Sequence, residues 1–388
     1  MVRLIFLADF SEEFAKRLLK GIVQYSKKKQ QPWVLCKMPL SFRDLYGIEG
    51  VLEWAKRWKA NAIIAQFYST DNVGIFKDNG IAAIALDFKS RFTEIPNITG
   101  DYHLVGKMGA DYFIQKGFKN FAYYGFINIE WSRERFEGFR NELARYDLDK
   151  KLYEYRNEGF EELWYYDTEP LVAWLKSLPK PVAMMACDDN QGQHITELCK
   201  QQNIKIPEDI SLLGVDNDCA VCMLSDPPLS SVDMAMEVGG YNVALLIDKM
   251  VSRDKEQEED VVISPTRIIT RQSTDIFATN DKNIAIVLKY IHQNFNKKIS
   301  IDELTRLVPL SRRLLEDRFK NLIGAPVYTY IIKLRIEKFA LELLETNRPI
   351  IEIAEEMCVS DYKNIARQFF QIKRCTPSEY RKRYTLKF

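Results

Sequence analysis

Ile210-Ser211-Leu212-Leu213-Gly214-Val215-Asp216-Asn217-Asp218 is an apolar run that stops abruptly on polar, turn-forming residues. Six residues without polar alternation predict a strand buried on both faces, as parallel strands are. The pattern recurs upstream. Runs at 2–8, 61–67, 81–87, 120–126 and 182–187 have the same length and composition. Amphipathic stretches near 11–29, 49–59, 103–116, 132–145, 168–177, 191–203 and 234–250 separate them and predict helices. Alternating strands and helices over about 270 residues imply an α/β fold with doubly wound parallel sheets, enough for two lobes.

In open α/β sheets, ligands bind beyond the carboxyl ends of the strands. The predicted ends carry Asp9, Gln66, Asp87, Asp188-Asp189-Asn190 and Asp216-Asn217-Asp218, with Phe10, Phe14 and Trp131 nearby. Carboxylates and amides accept from sugar hydroxyls, while an aromatic face covers the C–H face of a sugar ring. A single Asp or Asn at a strand end is also an ordinary turn former or helix cap. Five such ends together point to a cleft for a polyhydroxylated ligand.

Residues 281–388 change period and charge. They hold 21 Lys and Arg against 13 Asp and Glu, whereas the rest of the chain holds 34 against 41, so a net charge of +1 conceals a basic tail on an acidic body. That asymmetry points the tail at a polyanion. Ser300 and Glu303 fit a capping box ahead of one short helix, and Ser311 caps a second, over 311–320. Two short helices split by a tight turn predict a helix-turn-helix. Leu315 and Phe319 should face the core, leaving Arg312, Arg313, Glu316 and Lys320 outward, where base edges and phosphates are met. A long helix over about 326–345, with Pro326 at its first turn, precedes a second such unit. Its helices fall at 350–357 and 361–370, with a last basic helix from 376. The second unit offers Tyr362, Lys363 and Arg367 to DNA. The expected domains are 1–272, a linker at 273–282, and an all-α domain at 283–388.

Seven cysteines in no framework spacing fit reduced thiols in a cytoplasmic protein. Cys219 and Cys222 lack partners for a zinc site, and His103, His194 and His292 are scattered, so neither metal nor cofactor is expected. The start reads as a buried strand and not as a signal peptide, and no apolar run approaches the ~20 residues that cross a bilayer. These features oppose an exported sugar-capture protein. A glycoside hydrolase using Asp188, Asp189 and Asp216 is a rival reading, but no P-loop, nucleophile elbow or GxGxxG marks an enzyme.

Three segments resemble LacI-type, periplasmic-binding-protein-like sensor domains: Pro207–Asn217, Leu229-Ser230-Ser231-Val232 followed by Glu237 and Gly239, and Pro265–Thr274. The resemblance spans residues 1–275. It implies that Arg135, in Arg135-Phe136-Glu137-Gly138-Phe139, grips ligand hydroxyls together with Asp188, Asp189 and Asp216, beside the strand-end Asn217. The tail is similar to the AraC/XylS DNA-binding domain, through Leu310-Ser311, Arg318-Phe319-Lys320, Gly324, Arg335 and Thr376–Arg381. Cys358-Val359 and Cys375 stand where that family usually has Gly-Phe and Gly. The LacI-type family normally carries its DNA-binding head ahead of the sensor; here the order is reversed. The pairing resembles the xylose-operon regulators, which implies D-xylose or a related pentose as inducer, a homodimer, a double-stranded operator, and activation through RNA polymerase. The same sensor fold also serves non-sugar ligands, which stays open here.

Overall fold

The computed structural model describes residues 1–388 except 11, 30–32, 87–90, 158–167, 253–258, 277–280, 358–361 and 385–388, and excludes the side chains of 156, 157, 345, 362 and 363. Two six-stranded sheets make up the body. The first contains β1 (Arg3–Leu7), β2 (Val34–Met38), β3 (Ala62–Ala65), β4 (Ala82–Leu86), β5 (Asn97–Gly100) and β11 (Val261–Ile263), in the order β11-β5-β4-β3-β1-β2. The second contains β6 (Phe121–Phe126), β7 (Leu152–Asn157), β8 (Val182–Ala186), β9 (Ile210–Val215), β10 (Ser230–Met234) and β12 (Pro265–Ile269), in the order β12-β10-β9-β8-β6-β7. Among the described residues the strand pairings are parallel except that of β10 with β12. Uniformly apolar runs become fully buried strands at β3, β6 and β8, while β5, β9 and β10 are fully buried although they carry polar residues.

Helices α1 (Glu13–Lys28), α2 (Leu40–Trp58), α3 (Gly74–Asp78) and α9 (Met236–Ser252) belong to the first lobe. Helices α4 (Tyr102–Gln115), α5 (Glu130–Ala144), α6 (Glu169–Ser177), α7 (Asp189–Gln201) and α8 (Cys219–Leu224) belong to the second. Each lobe has one helix crossing that depends on glycine. A Cβ on Gly21 of α1 would lie 2.0 Å from the Glu237 carbonyl oxygen, and one on Gly106 of α4 2.0 Å from that of Arg135. Only glycine lets the backbones approach this closely. The second crossing brings α5, and Arg135 on it, down onto the sheet.

The chain passes between the sheets at three places: from β5 into α4 at Asp101, from β10 into α9 at Ala235, and from β11 into β12 at Ser264. Backbone bonds tie these crossings together, Asp101 N–H to Ile263 O at 2.9 Å and Ala235 N–H to Ser264 O at 3.0 Å. They form a hinge.

The C-terminal domain is α10 (Lys282–Asn294), α11 (Ile301–Thr305), α12 (Arg312–Ile323), α13 (Val327–Glu345), α14 (Ile350–Glu356), α15 (Tyr362–Lys373) and α16 (Pro377–Tyr384). It has two cores joined by α13. Val327, Tyr330 and Ile331 pack into one with Leu315 and Phe319, and Ile336, Phe339 and Leu343 into the other with Ile365 and Phe369. The Ser300–Glu303 capping box is present, and Ser311 caps α12. Pro326 lies outside α13 as its cap, not within its first turn, because its ψ of 149° is extended. The expected linker is likewise not free at its start: Ser273 and Thr274 are fully buried, and Ser273 Oγ donates to Leu212 O at 2.6 Å. Their small hydroxyls satisfy the end of the second sheet, which places them in the sensor's core.

Candidate ligand cleft and nucleic-acid interface

The cleft is built where β1, β3, β8 and β9 end. Arg135 is its buried cation, 4% exposed. The guanidinium lies between the rings of Trp131, 4.8 Å away, and Tyr102, 5.0 Å away. It donates to the Cys187 carbonyl and, at 3.1 Å, to Asp216 Oδ1. Burial works against its charge, but the groups around it, Asp216 foremost, together outweigh that and hold Arg135 firmly protonated. Its Nε and the Oε1 of buried Gln66 have no hydrogen-bond partner among the described residues. Both are capacity that a hydroxylated ligand can use.

Asp216 and Asn217 occupy left-handed backbone, with φ of 94° and 52°. Asn217 is held from behind: its Oδ1 accepts from Arg271 at 2.8 Å and its N–H donates to Ser231 Oγ. Asp188 caps α7, accepting the Gln191 N–H at 2.7 Å. Burial pushes its carboxyl up to about 6. Asp189 is 2% exposed and its Oδ2 accepts the Asp218 N–H at 2.7 Å, so this carboxylate braces the β9 loop. Asp9 is exposed at the end of β1. Phe10 packs edge-on against Phe6 at 5.2 Å, and Phe14 lies half-buried against the same core. Asp87 falls outside the described residues.

Sequence reasoning missed two residues. Glu12 precedes α1 at its N-cap position, makes no side-chain cap bond and keeps access to solvent, yet the protein around it, then Asp9, Asp188, Asp216 and Asp218, push its carboxyl up to about 7. Arg17 spans the lobes from α1, donating to Asp233 Oδ1 at 2.8 Å, to Met234 O and Glu237 Oε2 at 2.9 Å, and to Asp216 O at 3.4 Å. An Arg four residues into an amphipathic helix carries no sign of what the fold will set opposite it.

The tail presents the opposite environment. Arg312, Arg313 and Lys320 stand exposed on α12, and Arg367 on α15. Arg312 Nε lies 3.7 Å from Glu316 and Arg313 Nε 4.0 Å from Asp317. These are loose i,i+4 pairs that a phosphate or base can replace. The side chains of Tyr362 and Lys363 lie outside the described residues. Among the described residues, no cluster of His, Cys, Asp and Glu could hold a metal, and no helix is long and apolar enough to cross a membrane.

Residues 110–274 match the periplasmic binding protein-like domain, and residues 304–383 match a helix-turn-helix domain. The chain is 25% identical to the xylose operon regulatory protein of Escherichia coli (strain K12), over 98% of this chain and 96% of that one. It is 26% identical to the protein of the same name from Haemophilus influenzae, over 98% of each. A solved structure of a xylose-binding transcription activator, xylR, superposes with a TM-score of 0.60 at 24% identity, covering 99% of this chain and 98% of that one. These similarities are to transcription regulators, which sets aside the hydrolase reading of Asp188, Asp189 and Asp216.

Proposed function

We propose that this chain, a helix-turn-helix DNA-binding regulator of sugar catabolism, takes a pentose, D-xylose first of all, into the cleft between its lobes and so controls how its tail reads an operator. In this reading it works in the cytoplasm as a homodimer on double-stranded DNA and activates transcription with RNA polymerase. Arg135 and Gln66 meet ring hydroxyls, Asp188 and Asp216 accept from them, and Trp131 with Phe10 and Phe14 covers the apolar face. Asp9 and Asn217 complete the rim, and Asp189 acts through the loop it braces. On α12, Arg313 and Glu316 read base edges while Arg312 and Lys320 hold phosphates; Tyr362, Lys363 and Arg367 do the same from α15.

One observation carries this reading: a buried, aromatic-sandwiched Arg135–Asp216 pair at the strand ends of a hinged two-lobed body, joined to exposed arginines on recognition helices. Closing the lobes on a ligand shifts the hinge population and with it the placement of the tail. Calorimetry of the full-length protein against pentoses and hexoses, paired with operator affinity at saturating D-xylose, tests it. D-xylose binding that alters operator affinity is expected; an operator affinity indifferent to every sugar would sink it. The surplus of carboxylates, with Asp9, Asp188, Asp216 and Asp218 close enough to Glu12 to raise its carboxyl, favours a second reading: an amine-bearing ligand. Glucosamine and a polyamine in the same screen separate the two.

A further inference from the structure

The last helix of the DNA-binding domain rests on the sensor's hinge. Tyr380 of α16 is 5% exposed; its ring packs in the second helix-turn-helix core against Phe369 at 5.3 Å, and its hydroxyl donates to the Thr266 carbonyl of β12 at 2.9 Å. One turn later Tyr384 packs edge-on against Tyr380 at 4.8 Å. The Thr266 carbonyl is available for a reason. β10 and β12 shift register between Asp233 and Met234: Asp233 pairs with Arg267 and Met234 with Pro265, which leaves Thr266 as the extra residue of a bulge, outside the ladder.

Thr266 is also tied to the cleft. Its Oγ1 donates to Asp233 O at 3.1 Å, and Asp233 Oδ1 accepts from Arg17 at 2.8 Å. The same Arg17 nitrogen reaches Asp216 O, and Asp216 holds Arg135. A continuous run of contacts therefore joins the ligand-facing arginine to α16, and its last two links, Asp233 and Thr266, lie two residues from the lobe crossings at Ala235 and Ser264. Relative rotation of the lobes must be absorbed by the crossings, since the sheets and packed helices are stiff. A group bonded to the bulge moves with it.

We infer that Tyr380 is a positioning residue for operator binding, whose hydroxyl fixes the second helix-turn-helix unit to the interlobe hinge, so that lobe closure turns that unit relative to the sensor. The inference rests on the function proposed above and specifies the route by which the sugar acts.

The test uses the full-length protein, D-xylose, and a duplex that the wild-type protein selects from a randomised pool. The readout is the ratio of operator affinities with and without saturating D-xylose. Tyr380→Phe keeps the ring in its core and removes the donor; Thr266→Val removes the bond to Asp233 while leaving the α16 core untouched. Each is expected to bring the ratio several-fold closer to one, with sugar affinity in the absence of DNA changed less than threefold. The double variant should do no more than either alone, because both cut one route. Equal weakening of operator binding with and without sugar would mean a merely structural tyrosine and overturn the inference. If Tyr380→Phe does not fold, Thr266→Val still tests the route, at its Thr266–Asp233 link. A wild-type ratio of one would defeat the proposed function, and this inference with it. A wild-type ratio far from one that both variants retain would defeat this inference alone.

Discussion

Arg135 and Arg313 carry the same guanidinium, one 4% exposed between two aromatic rings, the other with 95% of its side chain exposed on α12. In the cleft the cation is fixed by Trp131, Tyr102, Cys187 and Asp216 before any ligand arrives. On the recognition helix it is held by a single carboxylate at 4.0 Å. The difference follows from the partner. A small neutral sugar offers only a few hydroxyls, so the protein must order its own groups in advance to discriminate. Duplex DNA brings a dense row of charges that draws in mobile cations and lets them settle against base edges. The first design raises the cost of removing any one group; the second lowers it.

The largest effect is therefore expected in the cleft. Asp216→Ala leaves the Arg135 charge buried without its carboxylate, and breaking a buried pair from one side costs roughly 3–5 kcal/mol. Chemical denaturation should show a loss of that order, and calorimetry should show no sugar binding; wild-type stability would mean that Cys187 and the rings suffice. Arg313→Ala should cost about 1–3 kcal/mol in specific operator binding and relax the choice of base at one position. Its unfolding free energy should stay within ~0.5 kcal/mol of wild type, as for other surface changes. Lys320→Ala should weaken binding to all duplexes alike and lower the slope of log affinity against log salt by about one. A sequence-dependent loss at Lys320 would blur the division between phosphate holding and base reading.

The smallest effect concerns Glu12. Its carboxyl is raised from 4.5 to about 7 in the folded protein. The folded state thus binds the proton more tightly than the unfolded chain. The stability this provides is fully present below about pH 4.5 and is lost as pH rises through 7. Because the side chain keeps access to water, screening limits the effect to ~1 kcal/mol or less. Glu12→Gln should flatten the fall in stability between pH 5 and pH 8, checked by urea denaturation. If sugar hydroxyls donate to Glu12, binding near pH 7 releases protons, which calorimetry in buffers of different ionisation enthalpy detects. Proton uptake would place the ligand's acceptors there instead.

The sequence by itself determined the two-part architecture and much of the elements. Strand β8 is uniformly apolar because both its faces are buried. The second helix-turn-helix echoes the first because each must close its own core on α13. Strands β2 and β7 escaped that reading: they are sheet edges, and Val34-Leu35-Cys36-Lys37-Met38 and Leu152-Tyr153-Glu154-Tyr155 mix polar residues into the run. β11 has only three residues, and β5 sets a single Ile among Asn, Thr and Gly, so neither shows a long apolar run. Arg135 and Asp216 were legible because each stands in a local motif. Whether a strand-end carboxylate faces a ligand or a backbone N–H was not. Asp188 and Asp189 are adjacent and chemically identical, and only the loop folded over Asp189 separates their roles. The same holds for Arg17, 199 positions from Asp216, and for Tyr380, 114 from Thr266. Periodicity and motifs record what a residue meets within a turn or a strand. Contacts across such separations exist only once the lobes, the hinge bulge and the terminal helix have packed.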